Sequence, residues 1–125
     1  MSKLKNEIKS CMRNLSKEGP DALIAHFCFP NEFVGFKGHF PGKPILPGVC
    51  KIQAAVLMLE EAKQKAVRLK EIILAKFFAP VSPGEEIIFN LKELNILDSE
   101  EEIEVLVNSK ENKIAQFKLR VVFKD

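Results

Sequence analysis

One segment dominates what this chain can fold into. Residues 47–67, PGVCKIQAAVLMLEEAKQKAV, are rich in Ala, Leu, Glu and Lys, and past the opening Pro47–Gly48 they contain neither glycine nor proline. Pro47 suits a helix start, where the N–H it lacks would have had no partner. Val49, Ile52, Ala55, Val56 and Leu59 spread apolar groups over much of the circumference, so the helix is expected to be covered on more than one side. Glu61 and Lys65 stand four apart and are expected to pair along it. After this run the apolar period drops to two. Segments 71–79 (EIILAKFFA), 85–94 (EEIIFNLKEL), 101–109 (EEIEVLVNS) and 113–123 (KIAQFKLRVVF) read as strands, with turns at 80–84, 97–100 and 110–112. One long helix followed by an antiparallel meander points to an α+β domain, with the helix covering one face of a curled sheet.

Before the helix the pattern is mixed. Leu4, Ile8, Cys11 and Leu15 recur at helical spacing, yet Gly19–Pro20–Asp21 is a turn signal between two short runs, which suits a hairpin. Residues 22–29 alternate, with Phe27 and Phe29 on one face and His26 and Cys28 on the other, and read as a strand ended by Pro30. Residues 30–48 read as loop.

The bulk properties exclude several classes. The 125 residues suit a single domain, 1–125, with 46% hydrophobic and 29% charged residues. A net charge of +2 gives no footprint for nucleic acid. No apolar run approaches the ~20 residues of a membrane helix, and MSKLKNEIKS is too polar for a signal peptide. Three cysteines, Cys11, Cys28 and Cys50, make an odd set without CxxC spacing, which fits a reducing, cytoplasmic setting. His26, Cys28 and His39 match no zinc pattern, so no metal is expected.

The stretch FKGHFPGKPILPGV, 36–49, sets its histidine among glycines and prolines. It resembles the signature of the β-hydroxyacyl-acyl carrier protein dehydratases of FabZ type. The wider reading from Phe29 to Val49 is closest to the thioester dehydratase branch of fatty acid and aryl polyene pathways. AKFFAPVSPGEEI, 75–87, resembles the family's second signature, and the likeness covers about residues 22 to 124. The resemblance implies the hotdog fold, a central helix wrapped by a curled antiparallel sheet, and favours a strand for at least residues 9–16. It also implies a homodimer with active sites at the subunit interface, the histidine from one subunit and an acidic helical residue from the other. A trimer of dimers or a heteromer with a homologue would be further assemblies. No cofactor is implied, the substrate being carried on the phosphopantetheine of acyl carrier protein or on coenzyme A.

Dehydration of a 3-hydroxyacyl thioester removes a proton from C2 and hydroxide from C3. A base titrating near neutrality suits the first step, and His39 is that base. Pro41, Pro44 and Pro47 stiffen its loop. Negative charge gathers on the thioester oxygen, and the backbone N–H groups of Gly48 and Val49, opening the helix, suit it. Phe36, Gly38, Phe40 and Pro47 are the candidate substrate-binding residues, the two phenylalanines as walls of an acyl slot and Gly38 where backbone passes close to a ligand. Lys37, Lys43 and Lys51 form a basic rim for an acidic carrier protein. Cys50 reads as small core filling.

Position 53 departs from the family. Counting along ProGlyValCysLysIleGln, the expected acid is Gln53, which forms hydrogen bonds but delivers no proton near neutral pH. Glu60 would lie roughly 10 Å along the same face, too far to substitute, and Glu32 reads as a solvated loop charge. Two readings follow: a dehydratase in which Gln53 orients hydroxyl or water, and a non-catalytic hotdog subunit or acyl-thioester binding module. Thioester hydrolysis or double-bond isomerisation is a third, hydrolysis being disfavoured by the missing carboxylate.

Overall fold

The described residues of the computed structural model are 3–36, 44–97, 99–110 and 112–124. Their elements are α1 (Lys3–Ser10), β1 (Met12–Lys17), β2 (Ala22–Cys28), a 3-10 turn (Val34–Phe36), α2 (Gly48–Lys63), β3 (Ala66–Phe77), β4 (Glu86–Leu97), β5 (Glu100–Asn108) and β6 (Lys113–Lys124). The six strands form one sheet in the order β1-β2-β4-β5-β6-β3, antiparallel at every junction. This is the expected α+β hotdog arrangement, with α2 packed in the hollow of the sheet.

Alternation in the sequence becomes rows across the sheet. Leu23, Leu91, Val105 and Phe117 lie opposite one another on β2, β4, β5 and β6, and all four are buried. A parallel row joins Ala25, Phe89, Val107 and Ala115. Facing them, Cys50 to Ile52 and Ala54 to Leu59 of α2 are buried, so the helix is enclosed on most sides as its composition requires. Val49 is an exception to the expected apolar face, being 65% exposed at the first turn. No helix among the described residues is long and apolar enough to cross a membrane.

The helix also stops earlier than its sequence suggests. Gln64 adopts a left-handed conformation (φ 54°, ψ 42°), and its N–H bonds the Glu60 carbonyl at 2.9 Å. The Glu60 carboxylate then accepts the N–H of Val67 at 2.9 Å, drawing the chain into β3 five residues before the expected start at 71. Lys65 therefore lies beyond the helix. Glu61 pairs with Lys9 of α1 at 3.2 Å instead, while Glu60 pairs with Lys5 at 3.2 Å. These contacts explain the mixed N-terminal pattern. Residues 3–10 are helical because Leu4 and Ile8 pack on the core, Cys11 is a turn and the strand begins at Met12, so the preference for a strand from residue 9 is corrected at Lys9, Ser10 and Cys11.

The two sheet edges differ. β1 has six residues, carries Arg13 and Lys17, and shifts register between Arg13 and Ser16, where Asn14 takes φ 53°. β3 has twelve residues and exposes Ile72 and Ile73.

At the end of the core near the last turn of α2, apolar alternation gives way to two inward-facing acids, Glu93 and Glu101, both buried. Glu93 pairs with Lys63 at 3.0 Å, and Glu101 Oε1 has no hydrogen-bond partner among the described residues. Burial first, then the neighbouring Glu93 carboxyl, pushes Glu101 up to about 8. An acid whose folded pKa is raised favours folding most below its unfolded value, and that contribution is lost as pH rises through about 8. Thermal unfolding is therefore expected to show a higher Tm at pH 5.5 than at pH 8.5. Glu101→Gln should remove most of that difference and raise the pH 8.5 Tm by about 4 °C or more.

Candidate functional site

The site is built around the first turns of α2. Pro47 sits at the N-cap in extended conformation (φ −63°, ψ 149°), with no side-chain cap. Its carbonyl accepts the N–H groups of Cys50 and Lys51, at 3.1 and 3.4 Å. The N–H groups of Gly48 and Val49 have no acceptor among the described residues, as first-turn geometry dictates. They lie at the positive end of a 16-residue helix dipole.

A groove of about 440 Å³ opens beside this end, between the loop Ile45–Pro47 and the stretch Phe77–Pro80. The loop is fixed by the Leu46 N–H bonding the Val81 carbonyl at 2.9 Å. Phe77 is braced by an edge contact with Phe117 at 5.6 Å, and its ring lies so close to Gly48 that an added Cβ would sit 2.7 Å from it. A side chain at 48 would push the ring away, which explains the glycine there. Lys51, expected on a basic rim, is buried, at 3% exposure. Its Nζ donates to the Leu46 carbonyl at 3.2 Å and stands 5.4 Å from the Phe77 ring centroid. Burial pulls the Lys51 ammonium below the usual lysine range.

Gln53 faces elsewhere. It lines a second groove of about 300 Å³, with Ile52, Val56, Glu60, Lys5 and the start of β3, Ala66–Leu69. Within one chain, then, Gly48 and Pro47 share a groove that Gln53 does not line. Both grooves border β3, one at its end and the other at its start.

The remaining candidates divide plainly. His39, Gly38 and Phe40, with Lys37 and Lys43, lie outside the described residues. Phe36 belongs to the core rather than to a groove wall. It is buried at the end of an aromatic row in which Phe27, Phe29, Phe33 and Phe36 follow one another at 5.9, 4.8 and 5.8 Å. Phe77 and Phe78 take the wall position instead. Cys50 is buried, and burial pushes its thiol up, so it is unreactive core filling. Glu60 is engaged by Lys5 and Val67, and Glu32 is exposed.

Known proteins resemble this chain in sequence and in fold. A family model named ApeI-like and described as ApeI dehydratase matches residues 15–120. A 3-hydroxyacyl-[acyl-carrier-protein] dehydratase FabZ from Wolbachia sp. subsp. Drosophila simulans is 32% identical over 97 residues, covering 72% of this chain and 68% of the relative. Its counterpart from Helicobacter hepaticus is 36% identical over 106 residues, covering 73% and 62%. Among solved structures, the dehydratase heterocomplex ApeI:P from Xenorhabdus doucetiae superposes with a TM-score of 0.74 at 18% identity, over 89% of this chain and 96% of that one, a likeness of fold. The chain belongs to the ApeI-like dehydratase family and is related to the FabZ-type 3-hydroxyacyl-[acyl-carrier-protein] dehydratases.

Proposed function

We propose that the protein dehydrates (3R)-3-hydroxyacyl thioesters carried on acyl carrier protein, giving trans-2-enoyl thioesters in fatty acid or polyene-type biosynthesis, without a cofactor. The observation that carries this reading is the pair of N–H groups at Gly48 and Val49, without an acceptor among the described residues, beside an apolar groove at the end of the histidine-bearing motif. His39 takes the C2 proton while the thioester oxygen, gaining charge, is held by those N–H groups. The same imidazole returns the proton to the departing C3 hydroxyl, as a syn elimination allows. Gln53 orients that hydroxyl or a water.

The two grooves need a second copy to meet. β3 is a long edge with exposed isoleucines, a ready template for another strand. In an antiparallel pairing of two β3 strands centred on Ile72, Val67 of one copy stands opposite Phe77 of the other. The Gln53 groove of each copy then adjoins the Gly48 groove of its partner. A homodimer therefore supports the reading better than a lone chain. Ile72→Asp should convert a particle of twice the chain mass into monomer by light scattering. The Tm should hold to within a few degrees, because Ile72 is half exposed, and activity should vanish. A monomeric wild type with full activity would remove the dimer from the proposal.

The catalytic test compares wild type, His39→Ala and Gln53→Glu on a crotonyl or longer enoyl thioester, followed by enoyl hydration and C2–H exchange. His39→Ala should lose at least about 100-fold, and Gln53→Glu should gain by restoring an acid worth about 10²–10⁴-fold. Wild type at background in both assays, with thioester still bound, would instead mark a binding subunit.

A further inference from the structure

Lys51 is a feature of the Gly48 groove that the reaction above leaves unused. It lies three residues past Gly48, on the same side of α2. An ammonium carries three donors. One goes to the Leu46 carbonyl, the Phe77 ring face covers part of the charge, and no acceptor or carboxylate among the described residues takes the rest. Every other residue lining the groove is apolar or glycine. A buried cation without a counterion costs stability unless a negative charge reaches it. Gly48, the first residue of the helix, lines the same groove, so the positive end of the helix and the Lys51 side chain border one apolar space of about 440 Å³. That volume suits the reacting end of an acyl thioester.

We propose that Lys51 is a further catalytic residue, its ammonium facing the thioester oxygen as that oxygen becomes an enolate, beside the N–H groups of Gly48 and Val49. The proposal rests on the dehydratase reading. As the C2–H bond breaks, its electron pair forms the C1–C2 double bond and the carbonyl pair moves onto oxygen. The pair then returns, the C3–O bond breaks, and hydroxide leaves as water with the proton that the base took. Lys51 keeps its own proton throughout. It contributes charge to the first half of the reaction, so the missing acid at Gln53 leaves this half intact.

The groups facing Lys51 favour such a role. Cys50 beside it stays a neutral thiol through burial. The loop Ile45–Pro47 and the stretch Phe77–Pro80 bring no charge. Lys113, 5.0 Å over Phe78, adds a second cation at that wall. Because burial lowers the Lys51 pKa, catalysis should fall on the alkaline side at lower pH than a surface lysine would give.

The test uses acetoacetyl-pantetheine, whose enolate has its own ultraviolet band, together with enoyl-thioester hydration. Wild type should stabilise the bound enolate. Lys51→Met should lose the band and about 100-fold in kcat, with butyryl-pantetheine binding unchanged within about twofold. Lys51→Arg should keep the band and lose the alkaline limb of the kcat profile, since arginine does not titrate there. An unchanged band and kcat in Lys51→Met would overturn the proposal. So would equal losses in both variants accompanied by a lowered Tm, which mark a structural lysine. Wild type that forms the band but hydrates no enoyl thioester would sink the dehydratase reading alone. Wild type without band or turnover would sink both.

Discussion

The architecture depends on enclosing one helix. α2 is apolar around most of its circumference, and a chain of this size has one surface large enough to cover it, the inner face of its own sheet. The rows of matched residues across β2, β4, β5 and β6 are the complement of that helix. Once the body of α2 is enclosed, its first turn is where backbone donors can meet a ligand without disturbing the core. The helix that stabilises the fold is thus also the element that points positive charge at a groove.

The same enclosure explains the polar residues inside. Glu93 and Glu101 occupy positions that alternation assigns to the core, at the end away from the groove, and one lysine from α2 answers two acids. Lys51 occupies a comparable position at the other end, with no acid among the described residues to answer it. Each end is short of a partner among the described residues: Glu101 at one, held mostly protonated at neutral pH by burial and the neighbouring Glu93, and the buried Lys51 ammonium at the other. At the α2 N-terminus that shortage faces a groove, and at the Glu93–Glu101 end it faces protein.

Much of this was legible in the sequence, for physical reasons that differ by element. Strands 86–97, 100–108 and 113–124 announce themselves because one face is buried and a period of two follows. Pro47 and Gly48 mark the helix start by local chemistry. The helix end was not legible, since it is set by Gln64 in a conformation that glycine usually takes and by a carboxylate reaching ahead to Val67. Lys51 reads as surface because lysine usually is. Its burial comes from Phe77, twenty-six positions away, closing over it. Phe36 lies in the core rather than at the expected groove wall for a similar reason: loop phenylalanines at 33 and 36 follow the aromatic row of β2 inward, while Phe77, on an edge strand, is left at the groove.

The unequal edges of the sheet set a limit on growth. A sheet with two open edges can add copies at both ends and lengthen into a filament. Here the β1 edge is short and bulged, while β3 is long and exposes Ile72 and Ile73 at its middle. An edge that recognises its own likeness is consumed by a single event, after which both outer margins are of the unreceptive kind. In the dimer proposed above, the short, irregular β1 strands would form both outer margins, and closure after two copies would follow from the chain itself.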